Sequence, residues 1–268
     1  MMKPVRQNLR RGVYVIPTSL TLLNIFFGFR SIVYSTRAIE AMAVGRPGAA
    51  ADFFETACFS LLIAAVFDTF DGLIARQLNA TSEFGKEYDS LADVVTFGAA
   101  PAVLVYAWGL HVFEKLGGGI AFLFLAAVSL RLARFNVQTG KTDHRYFVGL
   151  PSPAGALTLA SMIFYAPVPV TDRRFAIIVM LLTIATAFSM VSPVRYRSQK
   201  GLSLQKERSL MYFVAFALII GLAFKWPREF WFVGAITYLA SGPLVKLWSI
   251  AFPSAKVPEE VAAPVETP

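Results

Sequence analysis

Long apolar runs alternate with short polar breaks along the whole chain. Runs long enough to cross a bilayer as helices fall at residues 14–33, 53–74, 91–112, 120–135, 151–168, 175–191, 210–224 and 230–250. This pattern predicts an all-α integral membrane protein, a helical bundle of about eight transmembrane helices, with both termini on one side. Residues 1–252 are expected to form a single membrane domain, with residues 1–13 as a basic segment on anionic lipid and 253–268 as a disordered tail. The first run is too long and too polar for a cleaved leader: Pro17, Thr21 and Asn24 share one face of its helix.

The polar break at residues 68–93 departs from this pattern. It places Asp68, Asp71, Asp89 and Asp93 inside or beside apolar runs. On an insertion scale each acidic residue at the centre of a membrane helix costs roughly 2.5 to 3.5 kcal/mol, so an uncompensated set would cost on the order of 10 kcal/mol. Helical periodicity organises the acids. Asp68, Asp71, Gly72, Ala75 and Arg76 fall on one face of one helix, and Gly85, Asp89 and Asp93 on one face of the next. The stretch between them is polar and predicts a turn. Two helices joined in this way converge their carboxylates, and an oxygen-only donor set favours a hard cation such as Mg²⁺ or Mn²⁺. Two divalent cations would balance four carboxylates. The small residues Gly72, Ala75 and Gly85 on the acidic face leave room for a ligand to approach the backbone.

Composition narrows the class further. Hydrophobic residues make up 56% of the chain, the mean hydropathy is +0.58 and 24 residues are Phe, which removes the soluble fold classes. The net charge of +8 is dispersed over helix-flanking segments and suits acidic membrane lipid, with no nucleic acid implied. With the N-terminus inside, about sixteen Lys and Arg lie in cytoplasmic segments against seven opposite, Arg173 and Arg174 being the main exceptions. That bias expects a multi-pass protein of the cytoplasmic membrane with both termini and the acidic site on the cytoplasmic side.

The spacing D-x2-D-G-x2-A-R-x8-G-x3-D-x3-D, filled here by Asp68, Asp71, Gly72, Ala75, Arg76, Gly85, Asp89 and Asp93, resembles the motif of the CDP-alcohol phosphotransferase family at all eight positions. The resemblance implies an enzyme that cleaves the diphosphate of a CDP-linked lipid, transfers the phosphatidyl group to an alcohol and releases CMP. It implies two divalent cations held by Asp68, Asp71, Asp89 and Asp93, and a CDP pocket involving Asn24, Gly72, Ala75, Arg76 and Gly85. Asp93, with Asp89 beside it, is expected to assist the attack. A homodimer is also implied.

Three further stretches, at residues 90–102, 130–136 and 147–154, resemble the branch of that family that uses CDP-diacylglycerol and L-serine. Arg131 and Arg134, at i and i+3, are suited to holding a carboxylate or a phosphate of the acceptor. The pair alone does not separate serine from glycerol phosphate, and inositol phosphate and choline stay open. Gly149, Pro151 and Pro153 are expected to start a helix sharply, with Ser152 as a cap or an anion contact. Gly117 to Gly119 are expected to form a flexible turn. A divalent-cation transporter is the alternative from another class; it would need polar residues continuing across the bilayer, whereas residues 56–65 and 101–110 are almost wholly apolar.

Overall fold

The computed structural model describes residues 5–77, 82–138, 146–197 and 225–251. Helix α1 (Val5–Ala43) is followed by α2 (Pro47–Gln77), and the reversal between them is a compact Schellman turn. The Arg46 amide donates to the Ala41 carbonyl at 2.8 Å and the Gly45 amide to that of Met42 at 3.0 Å. Gly45 adopts φ +71°, a conformation that suits glycine, and Pro47 then starts α2 where a missing N–H costs nothing.

Helix α3 (Glu83–Asp93) opens on Ser82, whose hydroxyl accepts from the Gly85 amide at 3.0 Å. It continues through a π-helical turn (Val94–Ala99) into α4 (Ala100–Trp108). Pro101 lies just beyond that turn; having no N–H, it could not supply a regular helical bond to the Phe97 carbonyl. A 3₁₀ turn (Leu110–Phe113) leads to α5 (Glu114–Gln138), and then come α6 (Ser152–Tyr165), α7 (Arg173–Val191) and α8 (Pro227–Ala251). Two three-residue strands, β1 (Tyr146–Val148) and β2 (Arg195–Arg197), pair antiparallel with Tyr146 opposite Arg197. They leave the helical character of the bundle unchanged.

Among the described residues, five segments are long and apolar enough to cross a membrane: Pro47–Ile74, Glu83–Trp108, Leu110–Val137, Arg173–Val191 and Pro227–Trp248. At 14 residues, or about 21 Å, α6 is shorter than a bilayer core. The predicted run at 210–224 and the tail at 253–268 lie outside the described residues.

Gly117 to Gly119 do not form the expected turn; they lie in the first turns of α5. A Cβ on Gly117 would stand 1.9 Å from the Leu110 carbonyl oxygen, so this glycine lets the 3₁₀ turn fold back onto the helix. The interior is built from large buried side chains, among them Phe54, Phe97, Phe124 and Leu104, interleaved with Ala57, Ala64, Ala100 and Ala107, whose small size brings helices close. Leu22, Phe26, Phe29, Phe122, Phe175 and Phe188 are exposed, as lipid-facing positions should be.

Candidate active site

Asp68 and Asp71 occupy the last third of α2, and Asp89 and Asp93 the second half of α3. The acidic faces of the two helices converge. One carboxylate oxygen from each of Asp68, Asp71 and Asp89 lies within 4.8 Å of the other two. Asp93 sits beside this trio, within hydrogen-bonding reach of Asp68. The donor set is wholly oxygen, and Asp89 Oδ1 is buried without a hydrogen-bond partner. A buried carboxylate oxygen lacking a donor calls for a cation, so these residues fit a hard divalent metal ion.

Helix α1 backs the cluster. Thr21 Oγ1 donates to Asp71 Oδ2 at 3.1 Å, and Asn24 Nδ2 reaches Asp93 Oδ1 at 3.5 Å. Donation to a carboxylate orients the Asn24 amide and leaves its Oδ1, fully buried, without a partner. The expected polar face of the first helix thus meets the acids directly. Gly72 is exposed, and a Cβ there would meet nothing within 4 Å, so the backbone is open to approach. Gly85 acts locally at the start of α3, where its amide is the donor that Ser82 caps, and a Cβ would come to 3.0 Å of that hydroxyl. Ala75 and Arg76 lie in the final turns of α2, and their side chains fall outside the described set.

The two arginines of α5 diverge. Arg131 is 9% exposed, donates from Nη1 to Ser152 Oγ at 2.7 Å and lies within electrostatic reach of Asp93 and Asp68. Its Nε has no partner. Arg134 instead donates to the Val191 carbonyl at 3.1 Å and the Met190 carbonyl at 3.4 Å, the unsatisfied acceptors at the end of α7. Ser152 does not cap α6, where Pro151 holds the N-cap position without a side-chain bond; its hydroxyl serves Arg131. The sharp entry to α6 is as expected. Gly149 takes φ +82° and packs where a Cβ would stand 2.2 Å from the Met190 carbonyl oxygen.

Two contributors escaped the motif. Thr96, in the π turn, is fully buried and donates to the Asn24 carbonyl at 3.3 Å. Tyr238 on α8 lies near Arg131 although it is more than a hundred residues away in sequence. A threonine in an apolar run and a tyrosine on a distant helix carry no spacing signal.

The CDP-alcohol phosphatidyltransferase family model matches residues 14–191, a span from α1 to the end of α7. A CDP-diacylglycerol–serine O-phosphatidyltransferase of Helicobacter pylori is 31% identical over 81% of this chain and 84% of its own length. An archaetidylserine synthase of Methanothermobacter thermautotrophicus is 33% identical over 70% of this chain and 71% of its own. A Mycobacterium tuberculosis protein with the same name as the Helicobacter one is 37% identical over 58% of this chain, which spans about half that relative's length, 51%. The matched span contains the four aspartates, the helix that backs them and the buried arginine, and the chain belongs to the CDP-alcohol phosphatidyltransferase family.

Proposed function

We propose that this enzyme transfers the phosphatidyl group of CDP-diacylglycerol to the hydroxyl of L-serine, giving phosphatidylserine and CMP. The observation that carries the reading is the pairing of opposites in one place. A trio of carboxylates with an unpartnered oxygen is suited to cations and a diphosphate. Beside it, a buried arginine with an unpartnered Nε is suited to an anionic acceptor. The names of the relatives, which share 31–37% identity with the chain, support serine as that acceptor.

Members of the family depend on divalent cations. Asp68, Asp71 and Asp89, with Asp93 beside them, would hold two such ions, Mg²⁺ or Mn²⁺, which when bound neutralise the diphosphate. The open backbone at Gly72 admits the nucleotide and its phosphates, with Ala75, Arg76 and Gly85 further along the same faces and Asn24 as a wall. Arg131, held by Ser152, pairs with the serine carboxylate and directs the hydroxyl toward Asp93. Arg134, the second arginine proposed for the acceptor, also closes the end of α7.

The serine oxygen attacks the lipid-bearing phosphorus in line, and the bond from that phosphorus to the bridging oxygen of CMP breaks on the far side. The hydroxyl proton passes to Asp93. The charge bias of the flanking segments supports a cytoplasmic position for the site, and the family resemblance supports a homodimer in the membrane.

The test is CMP release by the purified full-length protein with CDP-diacylglycerol and Mg²⁺ or Mn²⁺, comparing serine, glycerol 3-phosphate, inositol phosphate and choline. Serine-dependent release that disappears in Asp89→Asn is the expected result. Release with another acceptor discards serine and keeps the chemistry. No release with any acceptor, together with metal flux in proteoliposomes, would replace the enzyme reading with transport.

A further inference from the structure

One face of α1 touches both acid-bearing helices. Thr21, Asn24 and Gly28 fall at i, i+3 and i+7, and in that order they meet Asp71 of α2, Asp93 of α3 and Thr96 of the π turn. The third contact brings the backbone of Gly28 against the backbone and side chain of Thr96. A Cβ on Gly28 would stand 2.5 Å from Thr96 Oγ1 and 2.8 Å from Thr96 Cα, so only glycine admits the π turn at this depth. Thr96 is fully buried, and its hydroxyl donates to the carbonyl of Asn24, the residue whose side chain meets Asp93. The hydrogen bond and the close approach therefore lie within about one turn of α1 from the Asn24 side chain.

The π turn makes this geometry available. The Ala100 amide donates to the Val95 carbonyl, i to i+5, and accommodates one extra residue between Asp93 and the apolar helix α4. In a regular helix one residue corresponds to a rotation of about 100°. Thr96, Phe97 and Gly98 turn into the packed interior while Asp93, three residues earlier, stays with the carboxylates.

We propose that Thr96 and Gly28 are positioning residues: their contact pins the π turn to α1 and thereby sets the reach of the Asp93 carboxylate toward the acceptor hydroxyl. Neither touches substrate, and the proposal rests on the reading of Asp93 as the proton acceptor. It accounts for a buried hydroxyl in an apolar helix whose bond leaves its own helix for a specific neighbour. Displacing a reacting group by about 1 Å costs up to about a hundredfold in rate, so the contact is expected to act on turnover more than on binding.

The experiment measures CMP release, with kcat and KM for CDP-diacylglycerol and serine, in the full-length protein and in Thr96→Val, Thr96→Ser, Gly28→Ala and Asp93→Asn. Thr96→Val is expected to lower kcat about ten- to a hundredfold with both KM values within about twofold. Thr96→Ser, which restores the donor, should return kcat close to that of the parent. Gly28→Ala should repeat the kcat-selective loss. If Thr96→Val yields no folded protein, Thr96→Ala, which only removes atoms, carries the same expectation.

The proposal is overturned if the valine or alanine variant keeps parental kcat, if serine is as impaired as valine, or if the loss appears in KM alone. Near-normal turnover in Asp93→Asn removes the reading on which it rests. Loss of turnover in Asp93→Asn alongside parental kcat in the Thr96 variants rejects the positioning role alone.

Discussion

Two groups of charges in this bundle are arranged in opposite ways. Near the start of α8, Arg228 donates to Glu55 of α2 and also lies over the Phe164 ring, so a carboxylate has its own cation. At the other end of α2, Asp68, Asp71 and Asp89 crowd together with Asp93 beside them. The described cation facing them is Arg131, itself tied to Ser152. Among the described residues, the same helix therefore pairs Glu55 with a cation and leaves Asp68 and Asp71 clustered with other acids. The difference separates a structural charge from a functional one. The paired acid joins two helices and needs nothing more, whereas clustered acids with an unpartnered oxygen are held together against their repulsion and become favourable when cations bind.

Removing divalent ions should break the contrast most completely. Chelation is expected to abolish CMP release and Mg²⁺ or Mn²⁺ to restore it, while the folded bundle persists in a thermal melt. Asp89→Asn should follow, with a loss of about a thousandfold or more in kcat, because the unpartnered oxygen is replaced by an amide that binds cations poorly. Titration of Mn²⁺ by electron paramagnetic resonance would read the weakened site directly; unchanged Mn²⁺ binding in this variant would refute its role as a ligand.

Arg131→Lys tests whether the cation beside the cluster is also functional. A lysine keeps the charge and loses the fork that spans Ser152 and the pocket, so the serine KM should rise about tenfold or more while the CDP-diacylglycerol KM stays close to parental. Equal effects on both substrates would assign Arg131 to general charge balance. The smallest effect belongs to the paired region. Glu55→Gln should change stability by less than about 1 kcal/mol, since the pair is partly exposed, and leave CMP release unaltered. A large loss of activity there would dissolve the distinction between the two regions.

Arg131 and Arg134 show where sequence reasoning stops. Both stand on one face of α5, three residues apart, and both are suited to an anionic acceptor. Their divergence depends on what the bundle places opposite each: the α3 acids and the α6 entry for one, and the terminal carbonyls of α7 for the other. Ser152 changes meaning for the same reason, since the position that suggests a cap is filled by Pro151 and its hydroxyl faces an arginine. A glycine run favours turns locally, whereas here it lies within α5 and the close approach of Leu110 requires glycine at Gly117 alone.

The sequence by itself determined the membrane class, the approximate places of most described helices and the shared faces of the aspartates, because hydropathy and helical period are local properties written in consecutive residues. It also determined the chemistry available, since hard cations and phosphates select oxygen donors and arginines wherever these occur. Only the tertiary structure decided which three carboxylates meet within 4.8 Å, which arginine faces them, and that Thr96 pins the π turn to α1 through the space left by Gly28. Those outcomes depend on the relative height and rotation of helices distant in sequence. Small-residue packing and a single extra residue in a helical turn set that register, and neither leaves a periodic signal along the chain.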